Sequence, residues 1–77
     1  MKYPVIDVKA TGEKIRQLRK EHHMKVEDIA SYMGFGTDQA VYKWQRGDSL
    51  PTVDNLYALS ILFNTSIEDI LCEKEER

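Results

Sequence analysis

The chain has 77 residues, of which 42% are apolar and 31% are charged, and its formal net charge is −2. This length and composition fit one globular domain built around one core. The acidic balance argues against a nucleic-acid binder without sequence preference, and no apolar run approaches the roughly 20 residues that span a bilayer.

A single cysteine, Cys72, excludes a disulfide within the chain and fits a reducing compartment, so we expect a cytoplasmic protein. Residues 1–14 lack the continuous apolar region of a signal peptide. His22, His23 and Cys72 do not have the spacing of a metal site, and no nucleophile–base or paired-carboxylate arrangement is recognisable. We therefore expect no catalytic residue, no metal and no cofactor, and a protein that is not an enzyme.

The first two predicted helices follow a short N-terminal segment. Residues 1–10 contain Pro4 and several β-branched residues, which favour a short extended arm packed on the body over a loose end. Thr11 is a suitable N-cap for a first helix over 12–22. Apolar residues then recur at helical spacing over 26–33, and Gly34 is placed to end this second helix.

The third predicted helix, 38–45, lies between a glycine-rich turn and Gly47. Thr37 is placed as its N-cap. At 100° per residue, Ala40, Val41 and Trp44 share one face, and the opposite face carries Gln39, Tyr42, Lys43 and Arg46. This pattern is typical of a helix that is held by a core behind it and presented to a polar target. In so small a chain, that pattern favours the major groove of DNA.

Two further helices are predicted, at 53–63 and 67–72. Thr52 and Ser66 are their N-caps, Asn64 can end the first of them, and Leu50 is expected to point inward from the preceding turn. Tyr57 and Ile61 lie one turn apart and outside the core stripe of the fourth helix. Such an exposed apolar pair predicts a tentative dimer contact, with incidental surface apolarity as the equal alternative.

The order of these elements resembles the Cro/lambda-repressor-type helix-turn-helix domain, also called the XRE family. The matching phrases are TGEKIRQLRKEHHMKVEDIASYMGF, QAVYKWQRG and SLPTVDNLYALSILFNTSIEDIL, which cover about residues 11–71. The resemblance implies an all-α fold, a compact five-helix lambda-repressor-like domain with a short N-terminal arm. We expect an arm over 1–10, the helix-turn-helix DNA-binding domain over 11–72 and an acidic C-terminal tail over 73–77.

The resemblance also implies DNA contacts by specific residues. Gln39 matches a glutamine that reads a base, Lys43 reaches guanine or phosphate from the same face, and Tyr42 reaches a phosphate or a thymine methyl group. Arg46 matches a position that contacts the DNA backbone, and Thr37 can offer its hydroxyl to a phosphate.

This sequence departs from the family pattern at four places. The turn before the third helix is one residue longer, and Val26 replaces a glutamine that donates to phosphate, a role that Lys25 can partly assume. In the family, a glutamate at the position of Gln45 commonly pairs with an arginine of the first helix, which is Arg19 in this chain. Gln45 can still accept a hydrogen bond from Arg19, but the ion pair is lost. Asp38 places a negative charge where the helix faces DNA, which is favourable only if it accepts from cytosine N4 or stays solvated.

We accordingly predict a sequence-specific DNA-binding transcriptional regulator, with a repressor on a pseudo-palindromic operator as the favoured form. Its partner is double-stranded DNA, contacted in the major groove, and a homodimer and a protein partner are both open possibilities for its assembly. The alternative is a protein-interaction module, such as an antitoxin or an accessory factor of a larger partner. The exposed Tyr57 and Ile61 pair and the acidic C-terminal segment would suit that alternative.

Overall fold

A computed structural model describes residues 3–75 of the chain. Within this range five helices follow one another, and they are α1 (Val8–Glu21), α2 (Val26–Met33), α3 (Gln39–Arg46), α4 (Val53–Phe63) and α5 (Ile67–Ile70). The predicted all-α, five-helix fold is confirmed. None of these helices is both long and apolar enough to cross a membrane.

One apolar core lies between the helices and receives the inner face of each. Its fully buried side chains include Ile15 of α1, Ile29 of α2, Val41 of α3, Leu59 and Phe63 of α4, and Ile70 of α5. Trp44 is buried behind α3, as its position on the helical wheel predicted. The prediction for Leu50 is wrong, because this side chain is 38% exposed while the neighbouring Pro51 is buried.

Helix α1 begins four residues earlier than predicted. Asp7 is its N-cap, and one carboxylate oxygen of Asp7 accepts a hydrogen bond of 2.9 Å from the backbone N–H of Ala10. Thr11, the predicted N-cap, lies inside the helix and is fully buried. Its hydroxyl accepts a hydrogen bond of 3.0 Å from the backbone N–H of Cys72. Thr11 therefore joins the two ends of the chain and does not start a helix.

The chain segments before α1 and after α5 pair with each other. Ile6 and Glu73 form an antiparallel bridge, flanked by hydrogen bonds from Asp7 N–H to the Cys72 carbonyl and from Lys74 N–H to the Val5 carbonyl. Residues 8–10 of the predicted arm are helical, and the start of the predicted tail is held by the arm. Residues 1–2 and 76–77 of those predicted segments lie outside the described residues. The division into 1–10, 11–72 and 73–77 stays a prediction.

Several predicted helix ends are confirmed. Gly34, Gly47 and Asn64 end α2, α3 and α4 in the left-handed conformation. The Ser66 hydroxyl accepts the backbone N–H of Asp69 at 3.1 Å, as expected of an N-cap. Helix α5 is shorter than predicted, because Leu71 is extended and leads into the pairing of residues 72–74 with the arm.

The residue before α4 is Thr52, as predicted, but its hydroxyl does not cap the helix backbone. It donates to the Asp54 carboxylate instead. This hydrogen bond, with backbone donors at Asn55 and Asp54 itself, holds the pKa of the Asp54 carboxyl below its ordinary value.

Candidate nucleic-acid interface

The outer face of α3 carries the four polar residues predicted to contact DNA. Gln39, Tyr42, Lys43 and Arg46 are all exposed, and together they line one shallow concavity on the surface. Val41 and Trp44 are buried on the opposite side of the same helix. The helix therefore presents a continuous polar face about two turns long, while its apolar face anchors it to the core.

The start of α3 differs from the prediction by one residue. Asp38, not Thr37, is the N-cap, and in the described structure no backbone N–H bonds to its carboxylate. The Thr37 hydroxyl accepts a long hydrogen bond of 3.4 Å from the backbone N–H of Gln39. Thr37 and Asp38 border a second concavity with Glu27 and Phe35, next to the polar face but distinct from it.

Lys25 and Val26 lie at the start of α2 and line neither concavity. Lys25 is exposed, and its backbone N–H donates to the Asp28 carboxylate at 2.8 Å. Val26 is only 5% exposed and belongs to the core. The structure thus brings four predicted residues together, places Thr37 and Asp38 beside them, and leaves Lys25 apart.

The turn between α2 and α3 is anchored by Phe35. Its backbone N–H donates to the Ala30 carbonyl at 2.9 Å, and its ring meets the Trp44 indole edge-on at a centroid distance of 5.9 Å. An apolar residue that follows a glycine helix end commonly packs back on the helix. The turn is therefore fixed to the back of α3 by an aromatic contact.

The C-terminal end of α3 lies against α1 at a very close helix crossing, which we call the α1–α3 seam (Lys9, Gly12, Trp44, Gln45 and Gly47). A Cβ added at Gly12 would collide with the Trp44 carbonyl oxygen and lie 2.9 Å from the Gln45 carbonyl oxygen. A Cβ added at Gly47 would lie 2.8 Å from the Lys9 Cα, and Gly47 has a φ of +79°. Only glycine fits at either place without a shift of backbone.

A side-chain network also links α1 to α3. The Arg19 guanidinium donates through Nε to Gln45 Oε1 at 2.9 Å and through Nη1 to the Met24 carbonyl at 2.8 Å. The expectation that Gln45 can still accept from Arg19 is confirmed. A neutral acceptor thus replaces the ion pair, and the guanidinium still ties α1, α3 and the connection before α2 together.

Sequence reasoning missed Gly12 and Phe35, which help to position α3, and Asp48, which pairs with Arg46 at its end. Gly12 was the first residue of the predicted helix, but it lies inside α1, where a glycine is unfavourable unless close packing requires it. Phe35 follows a glycine that ends a helix, which is a recognisable packing signal. Asp48 carries no such signal, since its ion pair with Arg46, at 2.9 Å, depends on how the chain turns at Gly47.

A second exposed surface lies on α4. Tyr57 is 61% exposed and Ile61 is 59% exposed, in agreement with their predicted position outside the core stripe. Val53, which the sequence did not single out, is 80% exposed and one turn before Tyr57. These residues, at i, i+4 and i+8, form an apolar stripe along one side of α4, which we call the α4 stripe.

Comparison with known proteins places this arrangement in a family. A family model described as helix-turn-helix matches residues 15–70, which is most of the chain. The chain belongs to the Cro/lambda-repressor-like helix-turn-helix family. It is also similar to the HTH-type transcriptional activator BcrR of Enterococcus faecalis, with 28% identity over 64 residues. That match covers 83% of this chain and 31% of BcrR, so the chain spans about a third of its relative.

Solved structures show the same fold. The restriction-modification controller protein C.AhdI from Aeromonas hydrophila is similar with a TM-score of 0.74 and 20% identity, over 83% of this chain and 96% of that one. HppE, solved as a CoII complex with substrate, is similar with a TM-score of 0.76 and 22% identity, over 86% of this chain and 36% of that one. At these identities the likeness shows the fold alone.

In residues 3–75 no group of three or more His, Cys, Asp or Glu side chains is placed to hold a metal ion.

Proposed function

We propose that the protein is a sequence-specific DNA-binding regulator of transcription that inserts α3 into the major groove. The observation that carries this proposal is the polar face formed by Gln39, Tyr42, Lys43 and Arg46 on a helix-turn-helix scaffold. The regulatory role of the Enterococcus faecalis relative supports it. The domain shared with HppE is a minor part of that protein, so the likeness does not favour catalysis here.

The side chains on α3 divide into readers of bases and contacts to the backbone. A Gln39 amide can bond adenine through N6 and N7, and Lys43, one turn further, can reach guanine or a phosphate. Arg46 and Tyr42 are suited to phosphate contacts, with the thymine methyl as a second target for Tyr42. At the helix start, Thr37 can donate its hydroxyl to a phosphate, and Lys25 can add a contact from α2.

Asp38 gives the proposed interface an acidic position. It lies at the first turn of α3, half-buried, and its carboxylate is free of any backbone cap within the described structure. A carboxylate can accept from the N4 amino group of cytosine, whereas a nearby phosphate repels it. We propose that Asp38 favours cytosine at the base pair it faces.

The test of base reading is selection from a random duplex library, followed by binding measurements on two variants. Gln39→Ala should weaken binding by about 1–3 kcal/mol on the selected site and relax one base position. Lys43→Ala should weaken binding to all sequences and reduce the salt slope by about 1. Equal loss from Gln39→Ala on every sequence would exclude base reading by Gln39, and no enriched sequence would exclude the proposed function.

We further propose that the α4 stripe forms a two-fold contact with a second copy of the chain. Val53, Tyr57 and Ile61 expose apolar surface along one line of α4, and a self-complementary stripe is what an isologous dimer requires. A dimer would bind a pseudo-palindrome whose half-sites lie about one helical turn, roughly 34 Å, apart.

Sedimentation equilibrium tests the dimer. Wild type should dimerise in the micromolar range and Ile61→Glu should be a monomer, while Val5→Glu, a matched change at an exposed apolar residue of the arm, should leave the dimer intact. A wild-type monomer at high micromolar concentration would contradict the dimer. That result would favour the alternative, in which the protein is an antitoxin or accessory factor whose α4 stripe binds another protein. Co-purification of a partner with wild type but not with Ile61→Glu would support this alternative.

Repression by occupancy is the regulatory outcome we propose, since a bound dimer excludes polymerase from an overlapping promoter. A reporter with the selected site placed over a promoter should lose expression when the protein is present. Increased expression from that reporter would instead indicate activation, the role named for the Enterococcus faecalis relative.

A further inference from the structure

At the end of α3, Arg46, one of the residues proposed to contact DNA, forms an ion pair with Asp48. The Arg46 guanidinium Nε lies 2.9 Å from an Asp48 carboxylate oxygen, and the two side chains are 60% and 54% exposed. An ion pair between exposed side chains contributes little to stability, so it can open when a better partner for the guanidinium is available. The guanidinium is thus engaged, but not irreversibly, in the free protein.

The position of Asp48 is set by the helix end and not by a loose loop. Its backbone N–H donates to the Lys43 carbonyl at 2.9 Å, and that of Gly47 donates to the Trp44 carbonyl at 3.1 Å. With Gly47 in the left-handed conformation, these bonds reverse the chain and direct Asp48 back toward the last turn of α3. The backbone conformation at the end of α3 therefore places the Asp48 carboxylate next to Arg46.

Arg46 lies where two concavities meet. It lines the polar face with Gln39 and Lys43, and it also lines a cleft between α1 and α3 with Lys9 and Arg16. Asp48 and Glu13 are the acidic residues of that cleft. Asp48 therefore lies in a cleft with three cationic residues, and one of these, Arg46, also belongs to the polar face of α3.

We propose that Asp48 competes with DNA phosphate for the Arg46 guanidinium and thereby limits affinity for DNA of any sequence. This inference rests on the proposed DNA-binding function. Asp48 accepts from the guanidinium through Nε, and a phosphate held bidentately through Nε and a neighbouring Nη needs the same N–H, so Asp48 must leave before that contact forms. Asp48 also places a negative charge beside the DNA backbone, while the base-reading amide of Gln39 is untouched.

The experiment measures fluorescence anisotropy of wild type, Asp48→Asn and Glu68→Gln on the selected site and on a random-sequence duplex, at several salt concentrations. Asp48→Asn should bind both duplexes about fivefold more tightly and should steepen the salt slope by up to about one. Glu68→Gln removes the same charge from an exposed residue of α5 and should have little effect.

A double-variant arm separates competition for Arg46 from a general change in charge. In an Arg46→Gln background, Asp48→Asn should have no more effect than Glu68→Gln. Retention of the full fivefold gain in that background, or equal gains from Asp48→Asn and Glu68→Gln, would overturn the competition while leaving DNA binding established. If wild type binds neither duplex at any salt concentration, the proposed function and this inference both fail.

Discussion

The two ends of α3 are held in different ways. At the C-terminal end, Gly47 stops the helix, its backbone lies against Lys9, and the Trp44 carbonyl meets Gly12 of α1. At the N-terminal end, Asp38 forms no side-chain cap within the described structure, and a Cβ added at Gly36 would meet no atom within 4 Å. One end is fixed by contacts between backbones, whereas the other is joined to the core through buried Val41 and carries one long side-chain hydrogen bond at its start.

This contrast indicates how the proposed reading helix is oriented. Lys43 and Arg46 lie on the half of α3 that is fixed to α1, so their positions relative to the core are set before any DNA is bound. Asp38 and Gln39 lie on the half with room to adjust. We infer that contacts made by the C-terminal half place the domain on DNA, and that the N-terminal half adapts to the bases.

The largest expected effect comes from the α1–α3 seam. Gly12→Ala should lower the free energy of unfolding by about 3 kcal/mol or more, because its Cβ collides with backbone carbonyls that cannot rotate away. Urea denaturation followed by circular dichroism measures the loss. Gly36→Ala is the control in the open part of the turn and should change stability by less than about 0.5 kcal/mol. Similar values for the two variants would show that the seam is not a rigid contact.

A smaller effect separates backbone strain from close packing at the helix ends. Gly34 and Gly47 have nearly equal φ angles, +76° and +79°, but only Gly47 has neighbours within reach of an added Cβ. Gly34→Ala should cost about 1 kcal/mol from strain alone, and Gly47→Ala about 2–3 kcal/mol because Lys9 must also move. Thermal melting of both variants measures the two losses of stability. Equal losses would show that the contact with Lys9 does not contribute.

The smallest effect concerns the helix starts. Asp7→Ala removes a carboxylate that caps Ala10 and should cost about 1 kcal/mol, whereas Asp38→Ala removes none and should cost less than about 0.5 kcal/mol. Denaturant titrations of the two variants test this difference. A cost for Asp38→Ala as large as that for Asp7→Ala would mean that the start of α3 is as firmly capped as that of α1.

The sequence was a good guide to the spacing of buried residues and to the helix ends, and a poorer one to the side-chain caps of α3 and α4. Apolar spacing predicted α2 and α4 residue by residue, because a helix that buries one face must repeat that face every three to four positions. The glycines and Asn64 marked helix ends because few other residues adopt the left-handed conformation. The same local reasoning correctly separated buried Val41 and Trp44 from the exposed polar residues of α3.

Local reasoning failed where a residue has a distant partner. Thr11 has the side chain of an N-cap, yet its hydroxyl is used by Cys72, 61 residues away in the sequence. Threonine suits both roles, and the choice depends on the pairing of the two chain ends. Helix α5 ends early for the same reason, since residues 72–74 bond to the arm.

For this protein, the sequence by itself determined the order of the helices and the two faces of α3, because these depend on residue type and periodicity. Only the tertiary structure decided how closely α3 lies against α1 at Gly12, how the Phe35 ring packs on Trp44, and which carboxylate meets Arg46. Each of these depends on the distance between segments that are separate along the chain, and that distance results from packing the whole core.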